Sequence, residues 1–341
     1  MRRSWSGRLA AAIVAVGLLV IGATVASAGL SPQLVKGGSG DQNSPTANTT
    51  TLGYSANSEA HPRHFNAFVE SFLARGIPRT KVNARNTVGY MGHMNGDSGE
   101  LIYQQIKSSS DVLLYDIETD TRSQPPNAVN TDLWEWSPSI SPGHILFGRN
   151  SFRQPTSPWK VILYDRETFG TKVLASSTFR RQGIWPGQVT DQYATWTKCT
   201  DVCNVWYYDI AAEEMGKVPN PDELVQYWGG VSADTGEIYY ASSGVGCGGP
   251  ALMRWDPAGK VGPVVVTTLP SDKDLGDTMY VFADGTNDDL FFTQARCTRA
   301  APQDIYKVDN ADLASTDRLA ARPSGRGGIR ELSLRGAMPG A

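Results

Sequence analysis

Five aspartates recur at one place in a repeated phrase: Leu114-Tyr115-Asp116, Leu163-Tyr164-Asp165, Tyr207-Tyr208-Asp209, Arg254-Trp255-Asp256 and Lys307-Val308-Asp309. They stand 49, 44, 47 and 53 residues apart. Carboxylates can work as acid–base pairs, but five equivalent copies in successive units cannot meet at one substrate. Asp116-Ile117-Glu118-Thr119 and Asp165-Arg166-Glu167-Thr168 have the form of tight turns, in which the carboxylate accepts backbone N–H groups. The repeated aspartates therefore read as turn chemistry. A second set, Asp97, Asp191, Asp234 and Asp284, falls in another turn of different units. Two of these carboxyls within about 5–10 Å of each other would suit a glycoside hydrolase or lyase.

Cysteine and histidine add little catalytic signal. The four cysteines, Cys199, Cys203, Cys247 and Cys297, are even in number and read as disulfides, for which three pairings are open. Cys199 and Cys203 flank Thr200-Asp201-Val202 between two strands, and Cys247 and Cys297 fall in the corresponding loops of the next two units. A metal would want more ligands than Asp201 nearby. His61, His64, His93 and His144 form no ligand cluster in sequence. There is no Gly-x-Ser-x-Gly elbow and no phosphate-binding Gly-rich loop, so no catalytic residue, metal or cofactor is expected.

Aromatic side chains carry the remaining signal. Tyr90, Trp134, Trp136, Trp185, Tyr227, Trp228 and Tyr280 all stand near the first strand of a unit. Such rings either pack between sheets or face a central channel and stack on a ligand. Arg149, Asp191, Asp234 and Asp284 lie in loops near them, as do Arg180 and Arg181. The ligand-binding set expected from sequence is thus Trp134, Trp136, Arg149, Trp185, Asp191, Tyr227, Trp228, Asp234, Tyr280 and Asp284.

These residues need a scaffold of short strands. From about residue 82 the chain alternates β-rich runs with Gly, Pro, Asp and Asn, as in Ile145-Leu146-Phe147, Val161-Ile162-Leu163-Tyr164-Asp165 and Thr171-Lys172-Val173-Leu174. A period of this length fits four-stranded propeller blades. Five units are visible, which predicts an all-β propeller of five blades, with six possible, over residues 82–320. Ile329 to Leu334, in the 321–341 tail, and Thr80 to Ala84 have the composition of edge strands that would close the ring or add a sixth blade.

Ala283-Asp284-Gly285 and Ala233-Asp234-Thr235-Gly236 before an aromatic strand, followed by a strand ending in Asp, resemble the TolB-like family of bacterial propeller repeats. The resemblance covers about residues 86–320 and implies architecture only. Ser141-Pro142-Gly143 and Thr190-Asp191-Gln192 depart from the turn pattern.

The N-terminus reads differently. Arg2, Arg3 and Arg8, an apolar run from Leu9 to Val25 and Ala26-Ser27-Ala28 have the form of a secretory signal over residues 1–28. An uncleaved anchor is the alternative. Cleavage would move the formal charge from −3 to −6 by removing three arginines. With no basic block, nucleic acid is excluded as an expected partner. Residues 29–60, rich in Gly, Ser, Thr and Asn, read as a flexible linker. Phe65, Phe68, Val69, Phe72 and Leu73 have helical spacing and predict a short helix within 61–81. The expected whole is an exported, monomeric propeller at the cell surface or outside the cell, binding a protein or glycan at its channel rim. The competing class is a secreted propeller enzyme with carboxylates converging in the funnel.

Overall fold

The computed structural model describes residues 32–73, 76–94, 96–151, 157–177, 183–243, 249–259, 262–283, 288–296 and 302–309. Strand β1 (Gln33–Lys36) is set aside until the last sheet. Blade 1 comprises β2 (Gln42–Ala47), β3 (Thr51–Ser58), β4 (His61–Ser71) and β5 (Thr80–Lys81). Blade 2 comprises β6 (Val88–Met94), β7 (Glu100–Ile106), β8 (Ser110–Asp116) and β9 (Thr121–Ser123). In blade 3 these are β10 (Trp134–Ile140), β11 (His144–Asn150), β12 (Trp159–Asp165) and β13 (Thr171–Ser177). Blade 4 has β14 (Ile184–Val189), β15 (Tyr193–Cys199), β16 (Cys203–Asp209) and β17 (Glu214–Lys217). Blade 5 has β18 (Val225–Val231), β19 (Ile238–Ser243), β20 (Ala251–Trp255) and β21 (Val264–Thr268). The sixth sheet is β22 (Lys273–Ala283), β23 (Asp288–Arg296) and β24 (Asp304–Val308), completed on its outer edge by β1.

The ring is thus a six-bladed propeller of four-stranded antiparallel sheets, not the five-bladed one expected first. Six apolar clusters fill its six seams. The seam between blades 6 and 1 holds Leu52, Tyr54, Tyr280, Phe291 and Ile305, so the ring closes on itself. Because each sheet is covered on both faces, its strands read as continuous apolar runs rather than alternating ones. In β12, Val161 and Leu163 enter the seam with blade 4, while Ile162 and Tyr164 enter the seam with blade 2.

The same double coverage corrects the helix expected at residues 65–73. That segment lies largely in β4, where Phe68 packs against the core of the blade 6/1 seam and Val69 enters the blade 1/2 seam. Phe65 stacks 5.2 Å from Tyr90 of blade 2. Among the described residues there is one 3-10 turn, Gly96–Ser98, and no α-helix.

Residues 29–60 are likewise no linker from Pro32 onward: they hold β1, β2 and β3. Two of their buried hydroxyls are satisfied by the next blade. Ser55 Oγ accepts from Met91 N and Thr46 Oγ1 accepts from Met94 N, both at 2.7 Å. Closure therefore comes from the N-terminal side, where β1 supplies the fourth strand of blade 6. Thr80–Lys81 is an edge strand, but of blade 1. Ile329 to Leu334, Arg318-Leu319 and residues 1–28 lie outside the described residues. Among the described residues no helix is long and apolar enough to cross a membrane.

The repeated aspartates cap turns after the third strands. Asp116 accepts from Thr119 N, Asp165 from Glu167 and Thr168 N, Asp209 from Ala212 N and Asp256 from Ala258 N, all at 2.8–2.9 Å. These amide bonds hold the Asp116 and Asp165 carboxyls below the usual range. Asp309 instead accepts from Gln33 on the closing strand at 3.0 Å and pairs with Lys307.

Candidate binding site in the central channel

First strands run from a front face, where each is reached from the preceding strand, to a back face, where each turns into its second strand. In all six, pairing to the second strand breaks at the same level. The breaks fall between Asn43 and Thr46, Met91 and Met94, Trp136 and Ser139, Pro186 and Val189, Tyr227 and Gly230, and Leu275 and Met279. Such a bulge re-aims side chains away from the sheet faces. The residue opening it is Ser44, Gly92, Ser137, Gly187 and Trp228 in blades 1 to 5. Ser44, Ser137 and Trp228 take left-handed φ values of 51°, 49° and 59°. For a tryptophan this is a strained backbone. Ser137 is exposed, Ser44, Gly187 and Trp228 are half-buried and Gly92 is buried, so solvent reaches most of this level.

One residue further, Pro45, Pro138, Gln188 and Gly229 are buried. Gln188 Nε2 donates to Val281 O at 2.7 Å, and its Oε1 accepts from Val281 N at 2.9 Å and Val231 N at 3.3 Å. That amide joins blade 4 to blade 6 past the axial side of blade 5. From blade 2, the His93 ring packs 5.0 Å from Tyr280 of blade 6, and its Nδ1 lies 3.0 Å from Ser139 Oγ of blade 3. Val189 N donates to the same oxygen at 2.9 Å, so the Ser139 hydroxyl proton is free to bond His93 Nδ1. Burial pushes the imidazole down to about 3, so His93 stays neutral near pH 7. His93, Gln188 and Tyr280 thus bridge blades across the axis, one step behind the more exposed level of Ser44, Ser137 and Trp228.

An aromatic arc stands at the open level. Trp228 lies 6.5 Å from Trp185 in an edge-on arrangement and 6.3 Å from Tyr227. Trp228 and Tyr227 lean on the blade 5/6 core, Trp185 on the blade 3/4 core. A ring that reaches both Trp185 and the far seam passes over the axial or front edge of β18. Its backbone N donates to Thr197 Oγ1 at 3.1 Å, which fixes the bulge. Beside Trp185, Cys199 N donates to Gly183 O at 2.8 Å, and a Cys199–Cys203 disulfide closes that hairpin. Cys247 and Cys297 lie outside the described residues.

Of the residues expected to bind ligand, the structure brings together Trp185, Tyr227 and Trp228. Trp136 belongs to the blade 3/4 core, 5.3 Å from Trp159 in a T-shaped contact. Tyr280 is buried in the blade 6/1 core and forms part of the bridge. Trp134 is half-buried at the front end of β10. Arg149 is engaged locally: its Nε donates to Glu135 Oε1 at 2.8 Å, and the guanidinium donates to Ala128 O and Val129 O. Glu135 is fully buried, and burial pushes its carboxyl up against the opposing pull of Thr131 and Arg149.

Asp191 and Asp234 lie in back-face turns, away from the funnel mouth. Asp191 Oδ1 accepts from Ser141 Oγ at 2.7 Å and Gly143 N at 2.9 Å, tying blade 3 to blade 4. Asp234 donates its backbone N to Ser232 Oγ at 3.3 Å. Asp284, Arg180, Arg181 and the Asp97 side chain lie outside the described residues. Sequence reasoning missed His93, Gln188, Ser44 and Ser137. Their signal is positional: each stands one or two residues after the last paired residue before the bulge, visible once the six first strands are aligned.

No family model matches the sequence, and neither does any curated protein. Solved structures do match in fold. TolB from Acinetobacter baumannii superposes with a TM-score of 0.50 at 14% identity, covering 77% of this chain and 64% of that one. This chain therefore spans under two thirds of that protein's length. A putative TolB from Agrobacterium tumefaciens gives 0.49 at 10% identity, over 79% and 90% of the two chains. An oligogalacturonate lyase in complex with manganese gives 0.49 at 10%, over 83% and 96%. At such identities the likeness is one of fold, and the chain shares the β-propeller fold of TolB-like proteins.

Proposed function

We propose that this protein is an exported binding module that takes a glycan end-on in the front funnel. One observation carries the reading: at the bulge where other blades place Ser or Gly, blade 5 holds Trp228 in a left-handed conformation. Strain of this kind persists where surrounding structure enforces it, and it clusters at ligand sites. The ring stands beside Trp185, and serines hold the equivalent bulge positions of blades 1 and 3, a mixture of π-face and hydroxyl groups suited to a sugar. The bridged floor favours a chain end over a threaded chain.

Export is supported by the apolar leader with Ala26-Ser27-Ala28 and by the Cys199–Cys203 disulfide, which needs an oxidising compartment. A cut after Ala28 leaves the closing strand at Gln33 intact. The protein acts as a monomer in this reading. Titrating the purified protein with a panel of neutral and acidic oligosaccharides, and following tryptophan fluorescence, tests it. Saturable quenching in the wild type that is absent in Trp228→Ser supports the site. No saccharide response, with binding of a protein ligand instead, sinks the glycan reading. Turnover of a bound oligosaccharide in the same assay would make the protein an enzyme, for which carboxylates must reach the funnel.

A further inference from the structure

Blade 1 carries a second concave site that stands independently of the funnel. A cavity of about 290 Å³ opens beside the β3–β4 hairpin, lined by Asn57, His61, His64, Asn66, Phe68 and Arg79 among others. No carboxylate belongs to its lining. Arg79 stacks on Phe68, with the guanidinium carbon 3.9 Å from the ring centroid, and lies 5.8 Å from the Tyr54 ring. Stacking occupies the faces of a guanidinium and leaves its edge of five N–H donors in the plane, where the Tyr54 hydroxyl takes up one of them. The neighbouring carboxylate, Glu70, is already held by Lys36 Nζ at 2.6 and 3.0 Å. Asp41, behind Asn57, has both oxygens engaged, one by Asn57 Nδ2 and one by Gln303 N. Among the described residues Arg79 therefore has no carboxylate partner. Asn66 uses its Oδ1 to accept from Asn83, which leaves its amide N–H groups for the cavity.

A guanidinium edge, two imidazoles and a side-chain amide around a space without carboxylates make a donor-rich site in a chain of net negative charge. We propose that this cavity binds a compact anionic group, a carboxylate or a phosphate, with Arg79 as the bidentate partner and His61, His64 and Asn66 as supporting donors. Charge-assisted fork-to-fork pairs are the strong hydrogen bonds of such sites. The volume is at the small end for ligand pockets, which fits one acidic sugar or a free oxoanion rather than an extended chain.

Isothermal titration of the full chain with D-glucuronate, inorganic phosphate and D-glucose tests the proposal. D-glucose is the neutral control, and the two anions separate a carboxylated sugar from a free oxoanion. Binding of either anion but not of D-glucose is expected. Arg79→Gln is expected to weaken it by about tenfold or more, the weight of one charge-assisted pair. The double variant His61→Asn/His64→Asn, at exposed positions, should weaken it without unfolding the blade. Arg63→Gln, on the same strand but outside the cavity, should leave it unchanged. No binding of either anion, binding that survives Arg79→Gln, or an equal loss in Arg63→Gln overturns the proposal. Loss of the funnel's saccharide response in Trp228→Ser has no bearing on this site, so the two fail separately.

Discussion

The front and back halves of the channel are built from the same six strands, yet one is more exposed and the other is bridged by side chains. At the opening residue of the bulge the ring carries Ser44, Gly92, Ser137, Gly187 and Trp228; at the next it carries Pro45, His93, Pro138, Gln188 and Gly229. The second set alternates. Blades 1, 3 and 5 contribute compact residues, whereas blades 2 and 4 send polar side chains across to blade 6. Blade 6 answers with a bulge one residue longer, spanning 276–278. Gly92 and Gly187 are required by proximity: a Cβ on either would collide with the carbonyl of Pro138 or Gly229 in the next blade. Packing the first strands this tightly leaves an axial gap that the sheets themselves do not fill, and two long polar residues bridge it.

The largest effect should follow from removing that bridge. Gln188→Ala strips the partners from Val281 N and O and from Val231 N, all buried, and should destabilise the fold by about 3 kcal/mol in urea titrations. A cost under about 1 kcal/mol would mean that water replaces the amide and that the back half is not held by this bridge.

His93 makes the same point through pH. Its folded value is depressed from 6.5 to about 3, so below pH 6.5 the unfolded chain takes up a proton that the folded one refuses. The stability that neutral His93 contributes is complete above pH 6.5 and is lost as the pH falls towards 3. The slope is at most about 1.4 kcal/mol per pH unit, reduced by the solvent that reaches the ring. His93→Gln should flatten the acid limb of the stability curve by that amount. An unchanged limb would place a charged imidazole in the channel floor.

On the back face, Asp191→Ala should cost about 1 kcal/mol in the same urea titration, since it removes two hydrogen bonds at a half-exposed carboxylate. No loss would show that the turn contacts between blades 3 and 4 do not hold the back half together.

The uneven legibility of the chain has the same physical origin as this contrast. Blades 2 to 6 could be read because Asp116, Asp165, Asp209, Asp256 and Asp309 follow the third strand of each and stamp the sequence at a regular interval, the first four by capping the same turn. Blade 1 puts Ser71 at that position, with its Oγ accepting from Leu73 N, so the stamp is missing. Thr46 and Ser55 read as solvated because the backbone N–H groups that satisfy them, Met94 and Met91, belong to the next blade. His61 and His64 could not be paired with Arg79 until those strands were known to form a hairpin edge. In the channel, aromatic content pointed to the right strands but not to the right faces. Aligned on their bulges, Trp136 is the last paired residue before the break and Trp228 the first one after it, and that single step separates a core ring from one re-aimed by the bulge.

Trp228 therefore offers the smallest stability change and the sharpest test of the open half. Serine already occupies the equivalent left-handed position in blades 1 and 3, at φ 51° and 49°. Trp228→Ser loses the contacts with Trp185 and Tyr227 but relieves the strained backbone, and relief of that kind offsets part of the lost burial. The net change should lie within about 1 kcal/mol, while saccharide-dependent quenching disappears. Destabilisation by about 3 kcal/mol or more would make Trp228 a core residue like Trp136, held in its conformation by packing alone. A stable variant that still binds would move the ligand away from the funnel. The strain at this one blade has a functional meaning only if stability is kept and binding is lost together.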